Sequence, residues 1–169
     1  MKVRELMSSD VETCLPNTTL TDAAMAMWRR DCGIVPVVQN NSGELAGVIT
    51  DRDICIATAT RHTAPERITV GEVMQKDVIT CRPEEDVQDA LETMRQYRVR
   101  RLPAVDANNR LVGILSMNDA VRHAEPVGSK GHAGISSEDV LAAFKAICSR
   151  RLESDPALLA TNPPASYTR

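Results

Sequence analysis

Apolar and polar residues alternate along the chain in a pattern that occurs twice. Four apolar residues with the i, i+3, i+4, i+7 spacing of one helix face lie at Leu20, Ala23, Ala24 and Met27. The same spacing returns 67 residues later, at Val87, Ala90, Leu91 and Met94. Thr19 and Asp86 precede the two stretches as matching N-cap residues. The pattern therefore predicts two equivalent amphipathic helices.

Short apolar runs follow both helices. The runs IVPVV and RLPAV predict β-strands, and the proline in each favours the edge of a sheet. A second apolar run includes Gly47 and Gly113, where the offset has fallen to 66 because one loop is a residue shorter. The 67-residue offset also aligns positions before the helices: Val3 and Val70, Met7 and Met74, Asp10 and Asp77, Thr13 and Thr80, Cys14 and Cys81, and Pro16 and Pro83. Each repeat is thus predicted to run strand, helix, strand, strand, helix.

Both repeats end in a strand that leads into a helix through a similar motif, GVITDRDI at residues 47–54 and GILSMNDA at residues 113–120. Thr50 with Asp53, and Ser116 with Asp119, have the spacing of a helix capping box. A single T-x-x-D would indicate a cap alone. Its duplication indicates a second role, because a paired fold brings both helix N-termini to one cleft. There a carboxylate can accept hydrogen bonds from a diol, and backbone N–H groups can bind anionic oxygens.

Length and composition favour a soluble α/β (α+β) fold. The chain has 169 residues, of which 43% are apolar, and a repeat of about 55 residues is too small to bury much surface alone. We therefore expect the two repeats to pack as a pseudo-twofold pair. A net charge of −3 and an aromatic content of 2% disfavour binding to nucleic acid or to an anionic membrane.

The N-terminal sequence and the positions of the cysteines and histidines predict a cytoplasmic protein without a metal site. The N-terminal sequence MKVRELMSSD carries charges, and nowhere do ~18 apolar residues run together. The five cysteines are scattered and include no C-x-x-C pair, which favours small buried hydrophobic residues over disulfides or metal ligands. The three histidines, His62, His123 and His132, have no zinc-ligand spacing either.

The repeated strand and helix order, the VPVV and LPAV strands and the two motif copies resemble tandem cystathionine β-synthase (CBS) domains, the pair called a Bateman module. The resemblance covers roughly residues 1–124. The segment DVLAAFKAICS is similar to a helix that follows the pair in some small stand-alone CBS proteins, including hypoxic-response proteins. We expect the boundaries to be residues 1–66 for repeat 1, 67–124 for repeat 2, 125–135 for a linker, 136–150 for a C-terminal helix and 151–169 for a disordered tail.

The resemblance implies a nucleotide site in the cleft between the repeats. Thr50 and Ser116 would bind phosphate or ribose oxygens, and Asp53 and Asp119 would accept hydrogen bonds from ribose hydroxyls. Residues expected near the base are Thr13, Cys14, Thr80 and Cys81, with neighbouring backbone. An apolar wall for adenine is expected from Ile34, Pro36, Leu102 and Pro103. The expected ligand is an adenine nucleotide, AMP first and then ADP or ATP, with NAD and S-adenosylmethionine as further possibilities.

The densest basic stretch is RQYRVRR at residues 95–101. Arg95 and Arg98 suit a solvated helix end. Arg100 and Arg101 precede the LPAV strand, where the resemblance implies phosphate contacts, and Arg52 is another candidate. Since Gly33 and Ile34 occupy the matching positions in repeat 1, we expect the arginines of repeat 2 to reach a ligand held by Thr50 and Asp53. The Asp53 site should then bind more tightly than the Asp119 site.

The C-terminal helix is predicted to begin after the N-cap Ser136. Its apolar face is predicted to comprise Val140, Leu141, Phe144, Ile147 and Cys148, packed on its own module or across a dimer.

Two classes of function fit these features. The favoured one is a regulatory module that senses adenine nucleotides, signals through homodimer geometry and acts on a protein on another chain. The alternative is a structural or interaction protein with empty clefts. An enzyme is disfavoured, because the chain has no room for a catalytic domain and shows no local nucleophilic constellation.

Overall fold

Each repeat forms the predicted helix, two strands and second helix in that order, whereas the first predicted strand is not formed as a strand. The computed structural model describes residues 1–39, 42–126 and 134–149. Repeat 1 comprises α1 (Val3–Leu6), α2 (Leu20–Arg29), β1 (Ile34–Val38), β2 (Leu45–Thr50) and α3 (Asp51–Thr60). Repeat 2 comprises α4 (Val87–Tyr97), β3 (Arg101–Val105), β4 (Leu111–Ser116) and α5 (Met117–His123). Single 3₁₀ turns lie at Pro65–Arg67 and Val70–Glu72, and a parallel pair of two-residue strands, β5 (Ala124–Glu125) and β6 (Ile135–Ser136), leads into α6 (Ser137–Cys148).

The first predicted strand of each repeat is reduced to a single β-bridge. Cys14 pairs in parallel with Val37, and Cys81 pairs in parallel with Ala104. Each bridge lies along one edge of β1 or β3. The other edge of β1 pairs antiparallel with β2, and that of β3 with β4. The proline of each strand therefore lies near an edge that one short bridge covers, and its carbonyl accepts the cysteine N–H at 3.0 Å.

The N-terminal segment of each repeat packs in the core of the other repeat. We call residues 3–8 and 70–75 the leading segments. Val3 and Leu6 are buried in the core of repeat 2, and Val70 is buried in the core of repeat 1, where Met74 also packs. Ser8 pairs with Ile114 on β4, and Gln75 pairs with Val48 on β2. Each core is therefore completed by the chain that begins the other repeat.

The motif glycines lie where the leading segments cross the strands. A Cβ at residue 47 would approach the Gln75 carbonyl oxygen to 2.7 Å and the Met74 Sδ to 2.9 Å. A Cβ at residue 113 would approach the Met7 Sδ to 2.7 Å and the Ser8 carbonyl oxygen to 2.9 Å. Glycine is required at both positions because only a residue without Cβ admits this close approach.

The predicted helix caps are confirmed with one exception. The side chains of Thr19, Thr50, Ser116 and Ser136 each accept a hydrogen bond from the backbone N–H of the third residue that follows. Asp86 lies at the N-cap of α4, but its side chain makes no capping bond. It instead forms an ion pair with Lys2 at 3.2 Å, so the prediction of a matching side-chain cap is wrong there.

The C-terminal helix packs on its own module, against α4 and α5 of repeat 2. Its buried face consists of Val140 and Ala143, with Ile147 packed beside them. The predicted face was too broad, because Leu141, Phe144 and Cys148 are exposed. The equivalent surface of α2 and α3 in repeat 1 has no such helix among the described elements and forms an open groove. Most of the predicted linker, at residues 127–133, and the predicted tail, at residues 151–169, lie outside the described residues.

Candidate functional site

In repeat 1, Thr50 and Asp53 are hydrogen-bonded to each other in a capping box. The Thr50 N–H and hydroxyl donate to Asp53 Oδ2 at 3.0 and 2.6 Å, and the Asp53 N–H donates back to Thr50 Oγ1 at 3.2 Å. The second carboxylate oxygen, Oδ1, accepts a hydrogen bond from Gln75 Nε2 at 3.2 Å. Both oxygens of Asp53 are therefore engaged within the protein.

In repeat 2, Ser116 and Asp119 form the same capping box, but only one carboxylate oxygen of Asp119 takes part in hydrogen bonds among the described residues. The Ser116 N–H and hydroxyl donate to Asp119 Oδ2 at 2.9 and 2.6 Å, and the Asp119 N–H donates to Ser116 Oγ at 3.2 Å. Within the described residues, Asp119 Oδ1 has no hydrogen-bond partner. The repeat 2 carboxylate thus retains an acceptor that a ligand hydroxyl can use.

A cleft of about 360 Å³ lies where the two repeats and α6 meet. Repeat 1 contributes Gly33 and Asp51, and α6 contributes Phe144. Repeat 2 contributes the rest of the lining, which is Arg100, Arg101, Ser116, Met117 and Asn118. Of the predicted site residues, the structure brings together Arg100, Arg101 and Ser116 here.

The hairpin of repeat 2 positions the two arginines. Arg101 lies directly opposite Ser116 in the β3–β4 ladder. The Arg100 carbonyl accepts the N–H of Met117, the first residue of α5, at 2.9 Å. Among the ion pairs found in the described ranges, none involves Arg100 or Arg101. Two guanidinium groups therefore face a cleft in which Asp51 is the one carboxylate, and the excess positive charge favours an anion.

The tighter Asp53 site stays a prediction, because the cleft lining includes neither Asp53 nor Asp119. The arginines line the cleft with Ser116 of their own repeat, and neither Thr50 nor Asp53 lines it. An antiparallel hairpin brings the residue before its first strand beside the residue that ends its second. Arg100 and Arg101 are therefore grouped with Ser116, whose hydroxyl donates to Asp119 Oδ2.

The residues predicted to lie near the base do not line the cleft. The N–H and carbonyl of Cys14 are used in its bridge to β1, and those of Cys81 in its bridge to β3. Pro36 and Pro103 are buried within the strands, and Leu102 is fully buried at 0% exposure, so Leu102 cannot form a ligand wall. Ile34 and Thr80 are half-buried, and Thr13 and Arg52 are exposed. None of these side chains lines the 360 Å³ cleft.

Burial controls the ionisation of two cysteine thiols. Burial, with smaller contributions from nearby Glu12 and Asp22, raises the pKa of Cys14 to about 11. Burial, with a contribution from Glu85, raises the pKa of Cys81 to about 12. Both thiols are therefore neutral at physiological pH and behave as the small buried hydrophobic residues predicted for the cysteines. The same prediction is wrong for Cys55 and Cys148, which are exposed, and Cys32 is half-buried.

Five cleft residues were not predicted as site residues: Gly33, Asp51, Met117, Asn118 and Phe144. Asp51 is the first residue of α3 and lies within the T-x-x-D motif, directly after Thr50, which is the sequence signal for its position. Phe144 is predicted on the apolar face of α6, and in the structure it lines the cleft and is 42% exposed. A helix that is apolar over more than half of its circumference does not reveal which flank packs.

The CBS domain family model matches residues 3–59 and 70–125. The chain therefore belongs to the CBS domain family and contains two CBS domains. The curated CBS domain-containing protein YhcV of Bacillus subtilis is 39% identical over 117 residues, which are 69% of this chain and 81% of YhcV. The match spans only 23% of inosine-5′-monophosphate dehydrogenase of Methanocaldococcus jannaschii, a much longer protein.

Solved structures of CBS pairs have the same fold. The CBS domain pair of protein MJ0100, solved with 5′-methylthioadenosine and S-adenosyl-L-methionine, has a TM-score of 0.65 and 30% identity, and the match covers 72% of this chain and 94% of that one. CBSX2, solved in complex with AMP, has a TM-score of 0.63 and 26% identity, and covers 72% and 93%. Hypoxic Response Protein I, solved with two coordinated zinc ions, has a TM-score of 0.67 and 31% identity, and covers 74% and 100%.

Residues 1–39, 42–126 and 134–149 contain no group of three or more His, Cys, Asp or Glu side chains arranged to hold a metal ion. Within the same ranges, no helix has the length and apolar character needed to cross a membrane.

Proposed function

We propose that this protein is a regulatory module that binds an adenine nucleotide in the cleft between its CBS domains. The observation that carries the proposal is the pair of arginines, Arg100 and Arg101, that face this cleft without an ion-pair partner among the described residues. Guanidinium groups bind phosphate through charge-assisted hydrogen bonds. Ser116 adds a hydroxyl to the lining. Asp119 is hydrogen-bonded to Ser116 through Oδ2, and we propose that its Oδ1 accepts a hydrogen bond from a ribose hydroxyl.

The adenosine part of the ligand is supported by the CBS pairs of similar structure. MJ0100 was solved with two adenosine compounds and CBSX2 with AMP. AMP is our first candidate, followed by ADP and ATP, because a cleft with two cations and one carboxylate suits a small phosphate charge. NAD and S-adenosylmethionine are further candidates, and no metal is required.

Calorimetric titration with AMP, ADP, ATP, NAD and S-adenosylmethionine tests the proposal. A ligand at ~100 times its dissociation constant should also stabilise the folded state by about 2.7 kcal/mol in a thermal-shift assay. Failure of all five ligands to bind would favour the alternative, a structural or interaction protein with an empty cleft. Equal affinity for AMP and 2′-deoxy-AMP would contradict a ribose contact, because loss of that bond should weaken binding by roughly 5- to 150-fold.

The choice between the two carboxylates is tested by a matched pair of variants. Asp53 and Asp119 are the N3 residues of their capping boxes. An asparagine amide oxygen can still accept the hydrogen bonds of the N-cap N–H and hydroxyl, so we expect Asp119→Asn and Asp53→Asn to retain both helices. We expect Asp119→Asn to weaken AMP binding and Asp53→Asn to leave it within about twofold, since Asp53 is already engaged by Thr50 and Gln75. The reverse ranking would return the tighter site to repeat 1.

We further propose that the protein signals as a homodimer and acts on a protein of another chain in the cytoplasm. The exposed apolar side chains of α2 and α3 support the dimer, since Trp28 is 82% exposed and Met25 and Ile56 are about half exposed. In repeat 2, α6 covers the equivalent surface. Light scattering and small-angle X-ray scattering with and without AMP test this: Trp28→Glu should yield monomers, whereas Tyr97→Glu on repeat 2 should not.

A further inference from the structure

Phe144 is the only phenylalanine of the chain, and it does not serve the core. The face of α6 that packs on repeat 2 carries Val140 and Ala143, which are buried. Phe144 lies on the flank of the helix beside this face and is 42% exposed. Its ring lines the same cleft as Arg100, Arg101 and Ser116.

We propose that Phe144 forms the aromatic wall against which the base of the bound nucleotide stacks. This inference rests on the proposed function, and it adds an element that belongs to neither CBS domain. The arginines bind the phosphate at one part of the cleft, and the base extends toward α6. The C-terminal helix is then a component of the ligand site.

The apolar chemistry of the cleft supports this role. A purine needs a flat apolar surface, and stacking on an aromatic side chain suits any base. Met117 lines the cleft but is almost fully buried. Of the aromatic residues that the structure describes, Trp28 and Tyr97 lie outside the cleft lining, and Phe144 lies within it. Phe144 therefore offers the largest accessible apolar surface in the cleft.

Contact with Phe144 couples ligand binding to the docking of α6. The helix is held by a small buried face and by the cap at Ser136, whose hydroxyl accepts the Asp139 N–H at 3.0 Å. A base stacked on Phe144 adds a contact that exists only while α6 is docked. By reciprocity, the ligand stabilises the docked helix by the same factor that the docked helix strengthens ligand binding.

The test compares AMP and ribose 5-phosphate, which lacks the base, by calorimetric titration of the full chain. Phe144→Ala should weaken AMP binding by roughly 5- to 150-fold, the range of base–aromatic stacking, and should leave ribose 5-phosphate binding unchanged. Leu141→Ala is the matched control, because Leu141 lies one turn earlier on α6, is 52% exposed and does not line the cleft. It should change neither affinity by more than about twofold.

Each outcome has a distinct meaning. If the wild-type protein binds no adenine nucleotide, the proposed function and this inference both fail. If it binds AMP and Phe144→Ala behaves like Leu141→Ala, the site stands and the role of Phe144 is refuted. Equal losses for AMP and ribose 5-phosphate would also refute stacking. If Phe144→Ala unfolds, Phe144→Leu decides, because leucine keeps the apolar volume but not the flat ring.

Hydrogen exchange provides a second measurement. AMP should slow amide exchange across α6 in the wild-type protein and in Leu141→Ala, but not in Phe144→Ala. Unchanged exchange of α6 in the AMP-bound wild-type protein would contradict the coupling.

Discussion

Replacement of Gly113 by alanine tests the exchange of leading segments directly. The added Cβ would lie 2.7 Å from Met7 Sδ and 2.9 Å from the Ser8 carbonyl oxygen. Favourable contacts of a carbon atom lie at about 3.5–4.0 Å, so residues 7 and 8 must move away by about 1 Å. Ser8 resists this movement because it exchanges two backbone hydrogen bonds with Ile114, of 3.0 and 2.9 Å.

The expected cost follows from this overlap. Overpacking of a well-packed core costs about 1–3 kcal/mol. For a chain of this size, each kcal/mol lowers the melting temperature by about 2–4 °C, so Gly113→Ala should melt roughly 2–12 °C below the wild-type protein. The shorter of the two contacts, at 2.7 Å to Met7 Sδ, can be relieved by Met7→Ala. The double variant should therefore lose less stability than the sum of the two single variants, by about 0.5–3 kcal/mol.

Urea unfolding and thermal melts of the wild-type protein, both single variants and the double variant measure this coupling. Gly47→Ala provides an independent repetition in repeat 1, where the nearest atom is the Gln75 backbone oxygen at 2.7 Å. A melting temperature of Gly113→Ala within about 1 °C of wild type, or strict additivity with Met7→Ala, would refute the reasoning.

Three further predictions concern charge, pH and capping. Asp51→Asn should strengthen AMP binding by roughly 1.5- to 5-fold in calorimetry, since it removes a like charge from the phosphate cleft; the control Asp31→Asn, outside that cleft, should have no effect. The pKa values of Cys14 and Cys81 are raised from 9.0 to about 11 and 12, so the stability they contribute is present below pH 9 and is lost as pH rises through their folded values. Urea midpoints should accordingly fall between pH 8 and pH 10.5, and less steeply in Cys14→Ala. Ser136→Ala should cost about 0.5–2 kcal/mol and speed hydrogen exchange in α6, and an unchanged exchange rate would contradict a capping role.

Local signals in the sequence predict the repeats well. Helix α2 and its equivalent α4 follow from four apolar positions each, and both capping boxes follow from a hydroxyl and a carboxylate three residues apart. These features depend on contacts within one helical turn. The two-domain α/β architecture follows from the register of the repeats, and the CBS match confirms it.

The long-range arrangement was not predicted, for identifiable reasons. The sequence of a strand shows which of its faces is apolar, but not which other segment of the chain packs across it. No local sequence signal therefore indicates that Met7 lies over Gly113. The pairing of Arg101 with Ser116 depends on a β-bulge. Counting outward from the Val105–Leu111 pair would place Leu115 opposite Arg101, and the register shift between Ala104 and Val105 brings Ser116 there instead. No local signal in the sequence indicates this shift of one residue.

The exchange of leading segments has a consequence for how this protein can be divided. A cut at the connection after α3 would give two fragments, each carrying the segment that closes the other. Neither fragment is then an independent folding unit. Val3 and Leu6 would be separated from the core of repeat 2, and Val70 would be separated from the core of repeat 1. Mixed together, the fragments retain every contact between them, so the pair should reassemble by complementation. The same geometry allows two copies of one repeat to close each other, which gives a duplicated gene a direct route from a symmetric dimer to this single chain.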